Sequence, residues 1–405
     1  MISLYIHIPF CKKKCKYCSF FVTPKFNDNF IEKYYQSLLN EINFRSLKLK
    51  DKSIKTIYIW GWTPFVLWKE RIFWLVDFIK EKFDLNFLEE ISIELNPNPY
   101  HQVLDFVKTF TKRYKNFYRI RFSFGLQTFN DEILITSWRE YVFNSLVGFL
   151  RDLQNIKWVN NVFNFDFIAF GIREKWSKDS CFRKPHKCQF FERFVNSGFA
   201  DSFSIYMLEL SPWSYWYNIK EFNFSDDEIY EEFLYLKNLI KKAWYRRYEV
   251  SNFALPGKES LHNLVYWKLW NWLGLGVNST SYFNLSDKNQ NIEEIFGTKI
   301  EDKIKWIKFQ NTTSWQRYFE GNFIDAEKTE FWSNEEYLYH KFIMWIRLKE
   351  GISEIKKYIS ILVPDYENKI SILQNEWFVD FDGYRLRLTD KWMDFSNYII
   401  NELLK

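Results

Sequence analysis

The sequence predicts an α/β protein, a partial (βα)6 barrel followed by a small helical domain with a β-wing. In the first half, six short runs rich in β-branched and aromatic residues alternate with longer runs that have the apolar spacing of helices. From about residue 325 the order changes to helical runs, a hairpin-like stretch and a last helix. Strand–helix alternation indicates a parallel sheet, and six units fit a partial barrel better than a complete eight-unit one.

The elements follow in chain order. The six barrel strands are predicted at Ser3–Ile8, Lys55–Ile59, Ile91–Leu95, Arg119–Phe124, Phe163–Ala169 and Ser202–Leu208. The helices between them are predicted at Phe30–Phe44, Arg71–Phe83, Val103–Tyr114 and Tyr141–Leu153. A helix at Asp226–Lys242 and a strand at Arg246–Asn252 come next, and Ala254–Tyr282 is predicted to be a structured loop region.

The last part of the chain has a different pattern. Helices are predicted at Asn334–Arg347, Ile352–Ile359, Ile370–Glu376 and Asp394–Leu404, with a hairpin at Val379–Leu388. We therefore expect a barrel over residues 1–210, an extension of the barrel over 211–320 and a helical, winged domain over 321–405.

Composition limits the classes of protein. Of the 405 residues, 47% are hydrophobic and 26% are charged, so a packed core is expected and wholesale disorder is not. The net charge of +5 comes without a basic tail, and no apolar run reaches the roughly 18 residues of a membrane helix. We therefore expect no nucleic-acid partner and no integral membrane segment. Three of the five Cys lie between residues 11 and 18, which indicates metal binding in a reducing, cytoplasmic compartment.

These three cysteines carry the strongest signal for a cofactor. Cys11, Cys15 and Cys18 form C-x3-C-x2-C directly after the first predicted strand. Iron–sulfur clusters are held by Cys thiolates, and three ligands leave one iron of a [4Fe-4S] cluster open for a small molecule. A zinc site would need a fourth ligand, for which His7 is the only nearby candidate, inside the strand pattern.

Seven segments of the chain resemble one protein family. They are Leu4–Cys18, Ile91–Pro97, Phe122–Phe129, Phe163–Ile168, Tyr248–Ala254, His262–Trp267 and Leu386–Lys391. The first is similar to the cysteine motif of the radical S-adenosylmethionine (SAM) superfamily. The others resemble the branch that holds the oxygen-independent coproporphyrinogen III oxidases and the HemW heme chaperones. The resemblance extends over most of the chain.

The resemblance implies which residues bind SAM. In this superfamily the open iron binds the amino and carboxylate groups of SAM, and electron transfer then cleaves SAM to a 5′-deoxyadenosyl radical. The implied SAM-binding residues are Tyr5, Tyr17, Gly61, Trp62, Thr63, Glu94, Gln127, Arg139 and Asp166. Several of these residues lie at or just after the ends of predicted strands, and barrels bind ligands at that end. From the residue pattern alone, helix caps or structural ion pairs are the simpler interpretation of Glu94 and Asp166.

Tryptophan content is abnormal. The chain has 19 Trp and only 12 Gly. Where the family carries a Gly-Gly-Gly-Thr-Pro loop, this chain has Trp60-Gly61-Trp62-Thr63-Pro64. The family also has Gly at the positions of Trp138, Trp213 and Trp244. We expect Gly as well at the positions of Trp270, Trp345, Trp377 and Trp392. Some bacterial genetic codes read UGA as glycine, so most of these Trp are interpreted as misread glycine codons. The alternative is a real tryptophan-rich paralogue that has lost SAM binding.

Two functions follow from the resemblance, a heme chaperone or an oxygen-independent coproporphyrinogen III oxidase. The chaperone is favoured because Phe20 stands where the oxidases carry a further Cys, and because only ten residues precede Cys11. The segment His262–Trp267 also resembles the HemW motif linked to heme binding, which makes His262, Tyr266 and Trp267 the expected heme-binding residues. From the residues alone, a structural loop histidine with core aromatics is an equal alternative. The expected partners are heme, a heme-acceptor protein, and flavodoxin or ferredoxin as electron donor.

Overall fold

Six parallel strands form the centre of the molecule. The computed structural model describes residues 1–61, 67–114, 119–171, 185–219, 225–286, 292–296, 300–363 and 365–404. The strands are β1 (Ile2–His7), β2 (Ile54–Trp60), β3 (Glu90–Leu95), β4 (Arg119–Gln127), β5 (Asn161–Ala169) and β6 (Ser202–Met207). Each pairs in parallel with the next, which confirms the predicted six-strand α/β unit.

The sheet continues beyond both edges of this unit. Next to β6 lie the short antiparallel strands β8 (Asn252–Ala254) and β7 (Arg246–Arg247). Next to β1 lies β9 (Trp272–Leu275), which is parallel to β1. Antiparallel strands follow it in the order β10 (Thr280–Asn284), β11 (Trp306–Asn311) and β12 (Ile324–Trp332).

The segment 254–282 was therefore predicted wrongly as loop. It contains a helix and the strand β9, which pairs on both sides with other strands of the sheet. Gly274 in this strand has no room for a side chain, because a Cβ there would lie 2.3 Å from the carbonyl oxygen of Thr280. Close strand approach, rather than loop structure, explains that glycine.

Helices pack around the sheet. They are α1 (Asp28–Lys48), α2 (Trp68–Lys82), α3 (Tyr100–Tyr114), α4 (Asp131–Thr136), α5 (Phe143–Gln154), α6 (Pro185–Asn196), α7 (Tyr215–Ile219), α8 (Asp226–Lys242), α9 (Leu261–Trp267), α10 (Ile292–Phe296) and α11 (Trp315–Phe319). Because side chains alternate along a strand, Ile91 and Ile93 of β3 join the hydrophobic core with Phe106 and Phe110 of α3. The polar residues between them point to the other face, into the barrel.

The C-terminal part has a hydrophobic core of its own, built from residues between Phe342 and Leu403. Its helices are α12 (Asn334–Trp345), α13 (Lys356–Leu362), α14 (Tyr366–Asn375) and α15 (Ser396–Leu404), with a 3-10 turn at Trp392–Phe395. Its three-stranded sheet is β13 (Ile352–Ser353), β15 (Arg385–Leu388) and β14 (Val379–Phe381). The predicted helix at Ile352–Ile359 is wrong at its start, because Ile352 and Ser353 pair with β15. The winged-domain identity and the boundary at residue 320 stay predictions, and β12 lies beyond that boundary in the large sheet.

A buried ion network joins this part to the barrel. The Asp394 carboxylate bonds the Lys237 ammonium of α8, and its other oxygen accepts from Arg247 Nη1 at 2.6 Å. All three side chains are buried. In the ranges that the structure describes, no helix is long and apolar enough to cross a membrane.

Candidate cofactor site

The cysteine loop leaves the carboxyl end of β1. Cys11, Cys15 and Cys18 are all buried, and all three line one cavity together with Lys12, Lys13, Lys14 and Arg139. Within the described ranges, no three Cys, His, Asp or Glu side chains converge on a single metal ion. A multi-iron cluster binds each thiolate through a different iron, so three separated thiols around one cavity fit a cluster better than one zinc ion.

Two further observations concern the ligands themselves. His7, the candidate for a fourth zinc ligand, does not line this cavity and is buried beside the rings of Trp60 and Phe21. Burial raises the pKa of the Cys18 thiol to about 11, so cluster binding must displace a proton from it. The donor set therefore fits the [4Fe-4S] cluster that the cysteine spacing predicts.

A second cavity adjoins the first at the carboxyl ends of the strands. The two cavities share Cys18, Asn96 and Arg139. Five of the predicted SAM-binding residues line the second cavity: Tyr17, Glu94, Gln127, Arg139 and Asp166. Its volume is about 1070 Å³ including the part open to solvent. The structure thus brings these predicted residues together beside the cysteines.

Arg139 is held in place between the two cavities. It follows the end of α4, and its Nη2 and Nε atoms donate to the Tyr17 hydroxyl oxygen at 2.7 and 3.1 Å. The guanidinium also lies 5.6 Å from the centre of the Tyr141 ring. A buried, oriented guanidinium suits a carboxylate, which it can bind through two parallel hydrogen bonds.

Glu94 and Asp166 form the acidic side of the second cavity. The Tyr58 hydroxyl donates to Glu94 Oε1, while Ser123 Oγ and Asn164 Nδ2 donate to the Asp166 carboxylate at 3.0 and 2.8 Å. Burial and the neighbouring Asp166 carboxylate raise the pKa of Glu94 to about 8. Burial also raises the pKa of Asp166. A bound cation would stabilise the ionised forms of both carboxyl groups, which otherwise disfavour each other's ionisation.

The other predicted SAM-binding residues differ in their placement. Gln127 has a φ of 67° at an irregularity in the pairing of β4 with β5, which turns its side chain into the second cavity. Gly61 has a φ of 145°, and a Cβ there would lie 2.0 Å from the Ile8 carbonyl oxygen. Tyr5 is on β1 beside Tyr58 and lines neither cavity. Trp62 and Thr63 lie outside the described residues.

The predicted heme-binding residues lie at the opposite end of the strands. His262 is fully buried on α9, with Nδ1 2.7 Å from Thr56 Oγ1 and Nε2 2.9 Å from the Tyr266 hydroxyl. Burial lowers the pKa of His262 to about 3, so its ring is neutral. Trp267 is half-buried at the end of α9. The structure therefore does not place this group next to the cysteines, and neither ring nitrogen of His262 is open to a ligand as folded.

Sequence reasoning missed several polar side chains of the second cavity and its support: Tyr58, Asn96, Ser123, Asn164 and Tyr206. A signal was present, since Ser123 lies two residues after Arg121 and Asn164 two before Asp166. Polar residues at every second position indicate the inner face of a barrel strand.

Comparison with known proteins gives the family. The sequence model of the radical SAM superfamily matches residues 5–176. The heme chaperone HemW of Buchnera aphidicola subsp. Schizaphis graminum is 30% identical over 74% of this chain and 76% of its own length. HemW of Lactococcus lactis subsp. lactis is 26% identical over 99% of this chain and 97% of its own length.

A solved structure shows the same fold. The coproporphyrinogen III oxidase HemN of Escherichia coli superposes with a TM-score of 0.74 over 100% of this chain and 90% of its own, at 18% identity. At that identity the likeness concerns the fold alone. The sequence matches decide the family: this chain belongs to the radical SAM superfamily, within the family of HemW heme chaperones.

Proposed function

We propose that this chain is a heme chaperone that carries a [4Fe-4S] cluster, binds SAM and heme, and delivers heme to an acceptor protein. The observation that supports it most is the pair of adjoining cavities, one lined by the three cysteines and one by the predicted SAM-binding residues. The full-length similarity to chaperones named HemW points in the same direction.

Cys11, Cys15 and Cys18 would hold the cluster. When bound, the cluster supplies an electron to the ligand on its open iron. The chain's own contribution is to bury the thiols and to surround them with the cations Lys12, Lys13 and Lys14. Nearby cations lower the cost of converting thiols to thiolates.

SAM would lie in the second cavity, across the residues shared with the first. SAM carries a carboxylate, an ammonium and a sulfonium, so it needs one cationic and at least one anionic partner. Arg139 is oriented for the carboxylate, and Glu94 and Asp166 for the positive groups. Binding a cation would let both carboxyl groups ionise, which ties SAM affinity to their protonation.

The names of the relatives, which are heme chaperones, support heme binding. The hydrogen bonds of His262 set a condition on how it could bind heme. His262 as folded has both ring nitrogens in hydrogen bonds, to Thr56 and Tyr266. If His262 is an axial ligand, α9 must therefore move away from β2 when heme binds. A flavodoxin or ferredoxin as electron donor, and a cytoplasmic location that keeps the thiols reduced, remain parts of the proposal.

The alternative is the coproporphyrinogen III oxidase. Its support is the fold shared with HemN, whereas Phe20, exposed beside the cysteine loop, replaces the additional Cys of the oxidases. The sequence matches to heme chaperones therefore favour the first proposal.

Titration of the cluster-loaded protein with heme tests the proposal. We expect a saturable shift of the Soret band, and no consumption of coproporphyrinogen III with SAM and reductant under anaerobic conditions. Turnover of that porphyrinogen would overturn the chaperone assignment. His262→Ala tests the ligand: a ligand role changes the Soret position, whereas Thr56→Val, which removes only a partner of His262, should leave the position unchanged.

A further inference from the structure

Among the residues that the structure describes, three helices end on a tryptophan in the left-handed backbone conformation. Trp138 follows α4 with a φ of 68°, Trp244 follows α8 with a φ of 71°, and Trp377 follows α14 with a φ of 62°. Left-handed φ values are unfavourable for residues with a Cβ, and glycine is the usual residue there.

The hydrogen bonds show that all three are the same helix-ending motif. The backbone N–H groups of Trp138, Trp244 and Trp377 donate to the carbonyl oxygens three positions earlier at 3.0–3.1 Å. These acceptors belong to Ile135, Lys241 and Gln374. The N–H group of the next residue donates in each case to the carbonyl five positions earlier: Arg139 to Leu134, Tyr245 to Ile240 and Phe378 to Leu373. This 6→1 and 5→2 pattern is the Schellman motif, whose left-handed residue is most often glycine.

The same motif elsewhere in the chain does carry glycine. Gly321 ends α11 with a φ of 83°, and its N–H and that of Asn322 donate to Tyr318 and Arg317 in the same pattern. The end of α9 shows the same pattern, with Leu269 at a φ of 51° and the N–H groups of Leu269 and Trp270 donating to the carbonyl oxygens of Tyr266 and Val265. In the described part of the chain this motif therefore carries glycine at one helix end, leucine at one and the largest side chain at three.

Side-chain packing does not compensate for the backbone conformation at two of these sites. The Trp244 and Trp377 side chains are 84% and 81% exposed. Trp138 is different, because its ring lies over the cysteine cavity, with the Lys13 and Lys16 ammonium groups 5.5 and 5.2 Å from its centre. The other helix or turn positions where glycine was expected, Trp213, Trp270, Trp345 and Trp392, do not have left-handed φ values.

Trp60 has a related effect in the second cavity. It is the last residue of β2, directly before Gly61, and its ring packs 5.0 Å from Phe20 and 5.3 Å from His7. The indole takes up space in the cavity that is lined by Glu94, Arg139 and Asp166.

We propose that the natural polypeptide carries glycine at the positions of Trp138, Trp244, Trp377 and Trp60, and that loss of the indole at residue 60 opens the second cavity to an adenosyl sulfonium ligand. The helix-end part stands on backbone geometry alone. The cavity part rests on the proposed function.

Peptide mass spectrometry of the protein isolated from its own organism tests the helix ends directly. We expect glycine in the peptides that contain residues 138, 244 and 377. Tryptophan at these residues in the native protein would overturn the inference.

Thermal unfolding of the recombinant chain gives an independent test. Trp→Gly substitution normally lowers the melting temperature, because glycine loses more conformational entropy on folding. Trp244→Gly and Trp377→Gly should instead raise it. Trp74→Gly is the matched control, since Trp74 is 65% exposed but lies in the interior of α2, and it should lower the melting temperature. A lower melting temperature for both helix-end variants would contradict the proposal.

SAM binding tests the cavity part. Equilibrium dialysis with cluster-loaded protein should show tighter SAM binding by Trp60→Gly than by the parent chain, and unchanged binding by Trp74→Gly. Equal affinity of the parent and Trp60→Gly would overturn the cavity part. If neither form bound SAM while the helix-end variants were stabilised, the proposed function and the cavity part would fail and the helix-end part would stand.

Discussion

The two ends of the barrel bury polar side chains from the same strands but use them differently. At the cysteine end, Glu94 and Asp166 line an open cavity, and burial raises the pKa of both. At the histidine end, Glu90 accepts from Arg119 Nε at 3.0 Å, from Ser92 Oγ at 2.9 Å and from the N–H of His262 at 3.3 Å.

The carboxyl groups at the two ends therefore differ in whether protein donors already satisfy them. The Glu90 carboxylate at the histidine end has several protein donors, so it gains little from a ligand. At the cysteine end, two carboxyl groups and one guanidinium remain beside open space. Barrel proteins in general bind ligands at the carboxyl ends of their strands and stabilise the fold at the other end. The two cavities of this chain that adjoin the cysteines lie at the carboxyl ends.

The largest expected effect is at the cysteine end. Cys15→Ala should abolish cluster binding, seen as complete loss of bound iron and of the cluster absorbance after anaerobic reconstitution. Cys188→Ala, outside the motif, is the control and should keep full iron content. In the cofactor-free protein, Cys15→Ala should leave the free energy of unfolding nearly unchanged. Bound iron retained by Cys15→Ala would contradict a cofactor-binding role for the cysteine end.

At the histidine end we expect loss of stability instead. Glu90→Ala leaves Arg119 and several donors without their buried acceptor and should lower the free energy of unfolding by about 3–5 kcal/mol. Its neighbour Glu89, half-exposed and 3.7 Å from Lys55, is the control, and Glu89→Ala should cost less than about 1 kcal/mol. Urea denaturation measures both, and equal costs would contradict a structural role for this end.

A smaller effect is expected one hydrogen bond away. Thr56→Val removes the partner of His262 Nδ1 and should destabilise the protein by about 1–3 kcal/mol. Cluster content should stay unchanged, because Thr56 lies at the far end of β2 from the cysteines. Thr109→Val, on the exposed surface of α3, is the matched control. Loss of bound iron in Thr56→Val alone would show that the two ends are coupled.

The most gradual effect is a pH dependence, which is spread over several pH units. The pKa of Glu94 is about 8 in the folded protein and 4.5 ordinarily, so its neutral form favours folding at low pH. This stabilisation should fall as pH rises from about 5 through about 8, by at most about 1.4 kcal/mol per pH unit. Glu94→Gln should flatten that slope in the cofactor-free protein. Urea denaturation across this pH range measures the slope, and an unchanged slope would show that Glu94 ionises normally.

Much of this division could be predicted from the sequence. Apolar runs of the right length located all six barrel strands, and the cysteine spacing picked out three thiols that line one cavity. The strand β9 was missed because its four residues, Trp272–Leu275, are buried on both faces and show no alternation. The histidine end was missed because Glu90 and Thr56 are single polar residues whose partners come from distant parts of the chain.

The position of β1 in the sheet has a consequence for how the protein is made. β1 pairs with β2, which follows soon after it, and with β9, which is separated from it by more than half of the chain. During synthesis one edge of β1 therefore stays unpaired until the residues of β9 have emerged. Contacts between distant segments form slowly, and an open strand edge invites mispairing. The sheet that carries the cysteine loop is therefore completed only late in synthesis.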